Sequence, residues 1–269
     1  MQAGISTACL YPMLLEDSFS TLVGLGFRHF EVFVNTFSEL QDGYLAKLNS
    51  AAAESGSTVR SVHPFTSGYE SFLLFSGYRR RFEDGLEFYR YYFHACNVLG
   101  AKILVLHGWG SGKNDISEEE FIERYLRLYA LGKEYGVTVA QENVNRFRSD
   151  EPDFLRRMRG ACGNDCAFVL DIKQAVRSGA DPFEMCRAMG SRICHVHIND
   201  NDASSDCLLP GFGTMDYVRL LRLLQSFGYN GSLMIEVYRK SFGVPGELLQ
   251  AKKAVETAIQ KLKNETNGS

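Results

Sequence analysis

The chain has 269 residues, 45% of them apolar, and a formal net charge of −3, so it can bury a large core and carries no global attraction for nucleic acid or an anionic membrane. Its seven cysteines are odd in number and scattered, which favours reduced thiols in a cytoplasmic protein over a disulfide framework. The opening MQAGISTACLYPM has no basic stretch followed by an apolar one, and no apolar run approaches a bilayer's thickness, so neither a signal peptide nor a membrane anchor is expected.

In chain order, short β-branched runs alternate with longer amphipathic stretches. The strands are predicted at 4–10, 27–34, 58–64, 102–107, 138–143, 167–171, 193–198 and 232–237. The aromatic run at 88–93 falls between the third and fourth and reads as the buried side of a long helix rather than a base-stacking surface. After the fourth strand, Ser117-Glu118-Glu119-Glu120 spells a capping box for a helix that stops at Gly136. Cys162 and Cys166 lie in CGNDC with no second Cys/His pair, so a plain loop is expected there. Asp181-Pro182 supplies a cap and a first-turn proline. Gly213-Thr214 opens another helix, ending at Gly228. Residues 264–269 read as a polar, frayed tail, whose Asn264-Glu265-Thr266 sequon has no meaning without secretion.

Eight strand–helix units predict a parallel sheet with right-handed crossovers. No Gly-x-Gly-x-x-Gly follows the first strand, which favours closure into a single (β/α)8 TIM barrel over residues 1–263 rather than an open doubly wound sheet. The predicted third to eighth strands each finish on a titratable residue: His63, His107, Glu142, Asp171, His197 and Glu236. In a barrel these ends meet at one face, where active sites form. Buried charges must be paired or metal-bound, so six in phase imply a shared site. Two positions earlier, on the same side of each strand, stand Ser61, Val105, Ala140, Val169, His195 and Met234. All but His195 are small or apolar, as a packed inner layer requires. His195 is expected one layer below the site, as a hydrogen-bonded structural histidine. A set of three carboxylates and one imidazole suits Mn²⁺, Mg²⁺, Co²⁺ or Zn²⁺ and leaves positions for substrate oxygens.

The ordered series His63-Pro64, Leu106-His107-Gly108, Glu142-Asn143, Leu170-Asp171-Ile172-Lys173, His195 to Asp200, Pro210-Gly211-x-Gly213-x-x-Asp216 and Ile235-Glu236 resembles the sugar phosphate isomerase/epimerase family. Its superfamily also includes xylose isomerase, the ketose 3-epimerases, inosose dehydratase and endonuclease IV. The resemblance spans roughly residues 4–262. It implies one divalent ion held by Glu142, Asp171, His197 and Glu236, with room for a second near His63 and His107. It implies Glu142 and Glu236 as the catalytic acid/base pair, with Asp171 and His197 mainly holding the metal. Substrate contacts are expected from His63, His107, Lys173, Gln174 and, through its ring, Trp109, with Phe65 as a further aromatic candidate; Lys173 could equally pair with a carboxylate, and the two rings could equally seal the barrel top.

Two departures qualify the resemblance. Gln174 stands where the family often has the histidine of Asp-x-x-His, and Cys207 falls about where endonuclease IV has a zinc-ligating histidine. A three-zinc centre is therefore not expected, nor is cleavage of DNA. The implied activity is isomerisation or epimerisation of a small sugar or polyol-derived ketone through an enediolate. The alternatives are a dehydratase of the inosose or dehydroshikimate type and, behind it, a zinc phosphodiesterase. The implied partner is a small-molecule substrate, not nucleic acid or membrane, and a homo-oligomer is compatible. The loop at 211–214, ahead of a helix, reads as a tight turn plus cap, with an anion site as the alternative, and Arg146 and Arg148 read as solvated, with contact to a phosphate or carboxylate as the alternative.

Overall fold

The structure, a computed structural model, describes residues 1–111 and 116–267. Strands β1 (Gln2–Ser6), β2 (His29–Phe33), β3 (Thr58–His63), β4 (Ile103–Leu106), β5 (Thr138–Glu142), β6 (Phe168–Asp171), β7 (Ile193–Ile198) and β8 (Ser232–Ile235) are rich in β-branched and aromatic residues. They pair in parallel, in sequence order, and β8 closes on β1 to make a (β/α)8 barrel. The outer ring contains α1 (Leu15–Gly24), α2 (Asp42–Glu54), α3 (Glu70–Leu73), α4 (Arg79–Leu99), α5 (Glu118–Glu134), α6 (Pro152–Cys162), α7 (Ile172–Arg177), α8 (Pro182–Met189), α9 (Tyr217–Ser226) and α10 (Leu248–Asn267). Among the described residues no helix is long and apolar enough to cross a membrane. All seven cysteines are free thiols.

The aromatic run on α4 buries Tyr89, Tyr92 and Phe93 against the barrel and leaves Tyr91 outward. Ser117 caps α5 by accepting from the Glu120 N–H at 3.2 Å, and Asp181 caps α8 by accepting from the Phe183 N–H at 3.0 Å. Gly4 marks the narrow floor: a Cβ there would run into the Met234 side chain, which fills the space instead.

Three expected boundaries differ by more than two residues. The first strand ends at Ser6 because the Ser6 side chain caps a 3₁₀ turn over Thr7–Leu10. The helix expected from Gly213-Thr214 starts at Tyr217, capped by Asp216, which accepts from the Arg219 N–H at 3.0 Å. The polar tail is not frayed from 264: α10 continues through Asn267, with Glu265 paired to Arg222 on α9 at 2.6 Å. Gly268 and Ser269 lie outside the described residues.

Candidate active site

The parallel register brings the strand ends together at the C-terminal mouth of the barrel. His197 on β7 is fully buried and presents Nδ1 to three carboxylates, Glu142 Oε1 at 3.4 Å, Asp171 Oδ2 at 3.5 Å and Glu236 Oε2 at 3.3 Å. These are the ends of β5 and β6 and the residue just past β8. Asn143 fixes Asp171 by extending the β5–β6 ladder with its amide: Nδ2 donates to the Asp171 carbonyl and Oδ1 accepts the Asp171 N–H, both at 2.8 Å. Asp171 Oδ1 in turn caps α7 through the Gln174 N–H at 3.0 Å.

His63 and His107 flank Glu142 on its other side. Their Nε2 atoms lie 3.2 Å apart and 3.7 and 3.1 Å from Glu142 Oε2. Lys173 is almost wholly buried, directs its ammonium to Glu236 Oε2 at 2.7 Å and Asp171 Oδ2 at 3.2 Å, and also lines the cavity that opens above these groups.

The electrostatics follow from this crowding. Burial pushes the Glu142 carboxyl up, but His107, His197 and His63 outweigh it and hold it well below its usual range. Burial would lower His197, yet the charges of Glu31 and Glu236 hold it well above the ordinary histidine value. Burial raises Asp171, with Lys173 opposing. Even so, Glu142 Oε2, Asp171 Oδ2 and His197 Nδ1 are buried and have only these crowded ion-pair contacts, with no well-aligned hydrogen bond beside them. Buried polar atoms left this way are costly unless something else engages them. Oxygens from three chain positions and one imidazole nitrogen, all within 4.8 Å of one another, suit a hard or borderline divalent cation, so the residues fit the implied metal. A second group, His63, His107 and Glu142, meets the same distance condition.

A cavity of about 420 Å³ opens above these groups. Its floor carries His63, His107, Glu142, Lys173 and Glu236, and its walls are mainly aromatic, with Tyr11, Phe33, Phe65 and Tyr238 beside the polar Asn35 and Ser67. Gln174 lines it too, and its side-chain carbonyl accepts the Asn145 N–H at 3.2 Å.

Trp109 requires a correction. It does not line this cavity; its indole is buried, stacked on Phe121 at 5.7 Å, with the Arg148 guanidinium 4.8 Å over its ring. The cause is Gly108, whose positive φ of 83° turns the chain away from the strand direction directly after His107. At 211–214 the tight-turn reading holds over the anion-site alternative. The Gly211 and Met215 N–H groups donate to the buried Asp200 carboxylate at 2.9 and 3.0 Å, so the protein supplies its own anion there. Arg146 and Arg148 do not line the cavity either. Among the described residues, no group with metal-binding geometry includes Cys207.

Two buried carboxylates outside the strand-end set belong to the surroundings of the site. Glu31, on β2, lies one layer below the mouth and accepts from His195 Nε2 at 2.9 Å, His197 Nε2 at 3.1 Å and Ser61 Oγ at 2.8 Å. His195 thus sits below the site and is hydrogen-bonded, as its strand parity implies. A charge in the middle of the apolar His29-Phe30-Glu31-Val32-Phe33 strand is the available sequence signal. Glu70, on α3, accepts from the Gly108 N–H at 2.6 Å and the Tyr89 hydroxyl at 2.7 Å, pinning the turn that follows His107. Nothing in its local sequence distinguishes it from a solvated helix residue.

The sequence profile described as xylose isomerase-like TIM barrel matches residues 19–265. A Mycobacterium leprae protein described as uncharacterized is 26% identical over 265 residues, covering 90% of each chain. An inosose dehydratase of Clostridium perfringens is 24% identical over 174 residues, 52% of this chain and 59% of that one. The crystal structure of a D-tagatose 3-epimerase-like protein superposes with a TM-score of 0.80 at 18% identity, covering 99% of this chain and 100% of that one. At that identity the likeness is one of fold.

Proposed function

We propose, from the premise that this chain belongs to the xylose isomerase-like TIM barrel family, that it is a metal-dependent isomerase or epimerase of a small sugar or polyol-derived ketone, working by proton transfer through an enediolate. The observation that carries this reading is the convergence of Glu142 and Glu236 on one imidazole nitrogen at the floor of a walled cavity, with buried ligand-type atoms left without well-aligned hydrogen bonds. Glu142, Asp171, His197 and Glu236 would hold the cation. When bound, it would polarise the substrate carbonyl and stabilise the negative charge that develops when the neighbouring C–H loses its proton.

The remaining chemistry falls to the chain's own groups. Glu142 and Glu236 come from strands on different sides of the mouth, so two carboxylates can address one substrate carbon from opposite faces. One takes the proton and the other returns it. Lys173 supplies positive charge beside Glu236, and the His63–His107 pair supplies hydrogen bonds beside Glu142. The aromatic walls exclude water and can pack on the C–H face of a sugar, while the Gln174 NH₂ group can donate to a substrate hydroxyl.

Dehydration is the second reading. It begins with the same proton abstraction and then expels a hydroxyl. The inosose dehydratase relative favours it, as does His63, a buried imidazole at the floor. Burial lowers its pKa, but Glu142 and its neighbours more than reverse this and leave it raised, so it can carry the departing hydroxyl's proton. Incubation of the metal-loaded protein with a panel of ketoses and inososes in D₂O tests both. Deuterium at the carbon beside the carbonyl with unchanged carbon skeleton and oxygen count supports the first; loss of one water supports the second. Loading with each of the four metals and finding no exchange and no loss of water in any substrate would sink both.

A further inference from the structure

We infer that Glu31 is the positioning residue that makes His197 a metal ligand through Nδ1, with Ser61 and His195 holding that carboxylate in place. The inference rests on the metal-binding reading above. It adds a function for a charged group on β2, a strand that contributes nothing to the candidate metal quartet.

Glu31 is wholly buried, and so are Ser61, His195 and His197. β2 and β7 are not neighbours in the barrel, so the Glu31 side chain spans the lumen to reach both histidines. Its height is set by an irregularity in the β2–β3 ladder between Phe30 and Glu31, after which Glu31 pairs with Ser61 and Phe33 with His63. On the far side, Val169 pairs with His195 and Asp171 with His197. One carboxylate oxygen, Oε2, then receives Ser61 Oγ at 2.8 Å, His195 Nε2 at 2.9 Å and His197 Nε2 at 3.1 Å.

The chemistry of that contact has one outcome. An ionised carboxylate accepts and does not donate, so the His197 nitrogen facing it must carry a proton. A ligating imidazole is the neutral form, so with Nε2 keeping its proton it is the other nitrogen that would offer the lone pair to a cation. That nitrogen is Nδ1, aimed between Glu142, Asp171 and Glu236. The carboxylate behind the ring fixes its tautomer and orientation and strengthens it as a donor. His195 uses the same oxygen, and among the described residues it forms no ion pair with Glu142, Asp171 or Glu236, which leaves it a brace. The separations of 2.9 and 3.1 Å are ordinary hydrogen-bond lengths, and they favour a proton rather than a second ion between Glu31 and the two rings. A buried carboxylate is a poor device for stability alone, since apolar groups of the same volume serve as well or better.

The test reads metal binding and histidine tautomers rather than turnover. In ¹⁵N-histidine-labelled wild type loaded with ¹¹³Cd, the His197 ring should show coupling from cadmium to Nδ1 and a bonded proton on Nε2. Coordination through Nε2, or a second cadmium on His195, would overturn the inference. Glu31→Gln keeps the size of the side chain and removes its charge. Its affinity for manganese or zinc, measured by dye competition on folded protein, should fall about 10–100-fold. Affinity within twofold of wild type would also overturn it. If Glu31→Gln does not fold, the wild-type cadmium spectrum decides alone. Wild type that takes up no ion at all removes the proposed function and this inference together, whereas wild type that binds while Glu31→Gln binds equally well removes only this one.

Discussion

Two polar layers lie one above the other inside the barrel, and they are built on opposite principles. In the lower layer a single carboxylate, Glu31, receives three donors on one oxygen, Oε2, while its Oε1 is buried without a hydrogen bond, so donors outnumber the one anion. In the upper layer Glu142, Asp171 and Glu236 crowd one imidazole nitrogen and one lysine, and several of their atoms make no well-aligned hydrogen bond. Both layers are equally buried, so burial alone does not mark a site. What distinguishes them is the balance of acceptors over donors. A fold selected for stability alone would not keep surplus anions in its interior, because a buried charge without compensation costs several kcal/mol. The upper layer therefore reads as a place prepared for something added, and the lower one as its support.

The sharpest way to break this contrast is to neutralise the upper anions one at a time. Glu142→Gln and Glu236→Gln should each lower solvent-deuterium exchange into substrate by about 10²–10⁴-fold. Metal content must be measured alongside; a variant that keeps its metal and exchanges at the wild-type rate shows that glutamate to be a ligand only.

Lys173 offers a test of charge surplus that needs no substrate. Its ammonium is buried between Asp171 and Glu236, and although burial opposes the charge, those carboxylates hold its pKa well above the ordinary lysine value. Lys173→Met should destabilise the metal-free protein by roughly 3–5 kcal/mol, as expected when one partner of a buried pair is removed. Saturating manganese should recover part of the loss. Denaturation midpoints measured with chelator and with metal check this, and an equal loss in both would mean that Lys173 contributes packing rather than charge.

Glu70 extends the comparison outside the barrel. Burial pushes its carboxyl up to about 7 from the ordinary 4.5, against the opposing charge of His107 and its hydrogen bonds. A raised carboxyl favours the protonated form in the fold. The cost is absent below about 4.5, grows as pH rises to 7, and is complete above it. At about 1.4 kcal/mol per unit this amounts to roughly 3 kcal/mol. Glu70→Gln should therefore be more stable than wild type at pH 8 and gain little or nothing at pH 5. A stability difference that does not change with pH would show that Glu70 is stabilised as an anion by Gly108 and Tyr89.

The smallest effect is expected at Trp109. Phe33→Ala, on the cavity wall, should raise KM for the substrate, while Trp109→Phe should leave KM within about twofold and cost only stability, since a conservative aromatic swap in a packed site typically costs about 1 kcal/mol. A several-fold rise in KM from Trp109→Phe would return the indole to the substrate's side.

Much of this was written in the chain. Strand–helix alternation determined the barrel, and the phase of polar residues at strand ends determined which six side chains would gather at its mouth, because side-chain direction along a strand repeats every two residues and parallel strands place their ends together. The same parity placed His195 one layer down. Only the tertiary structure decided the rest. Which groups meet across the lumen depends on ladder stagger and side-chain reach, so the Glu31–His197 contact could not be read from either strand by itself. A single left-handed glycine sent Trp109 away from the cavity. Asp200 took the N–H groups of the 211–215 loop that a phosphate would have used. Lys173 could have leaned toward solvent or toward a carboxylate with the same sequence, and only the closed barrel brings Asp171 and Glu236 within its reach. Local pattern specifies the face on which a side chain emerges; the partner it finds there is a property of distances between strands, and those are set only when the barrel closes.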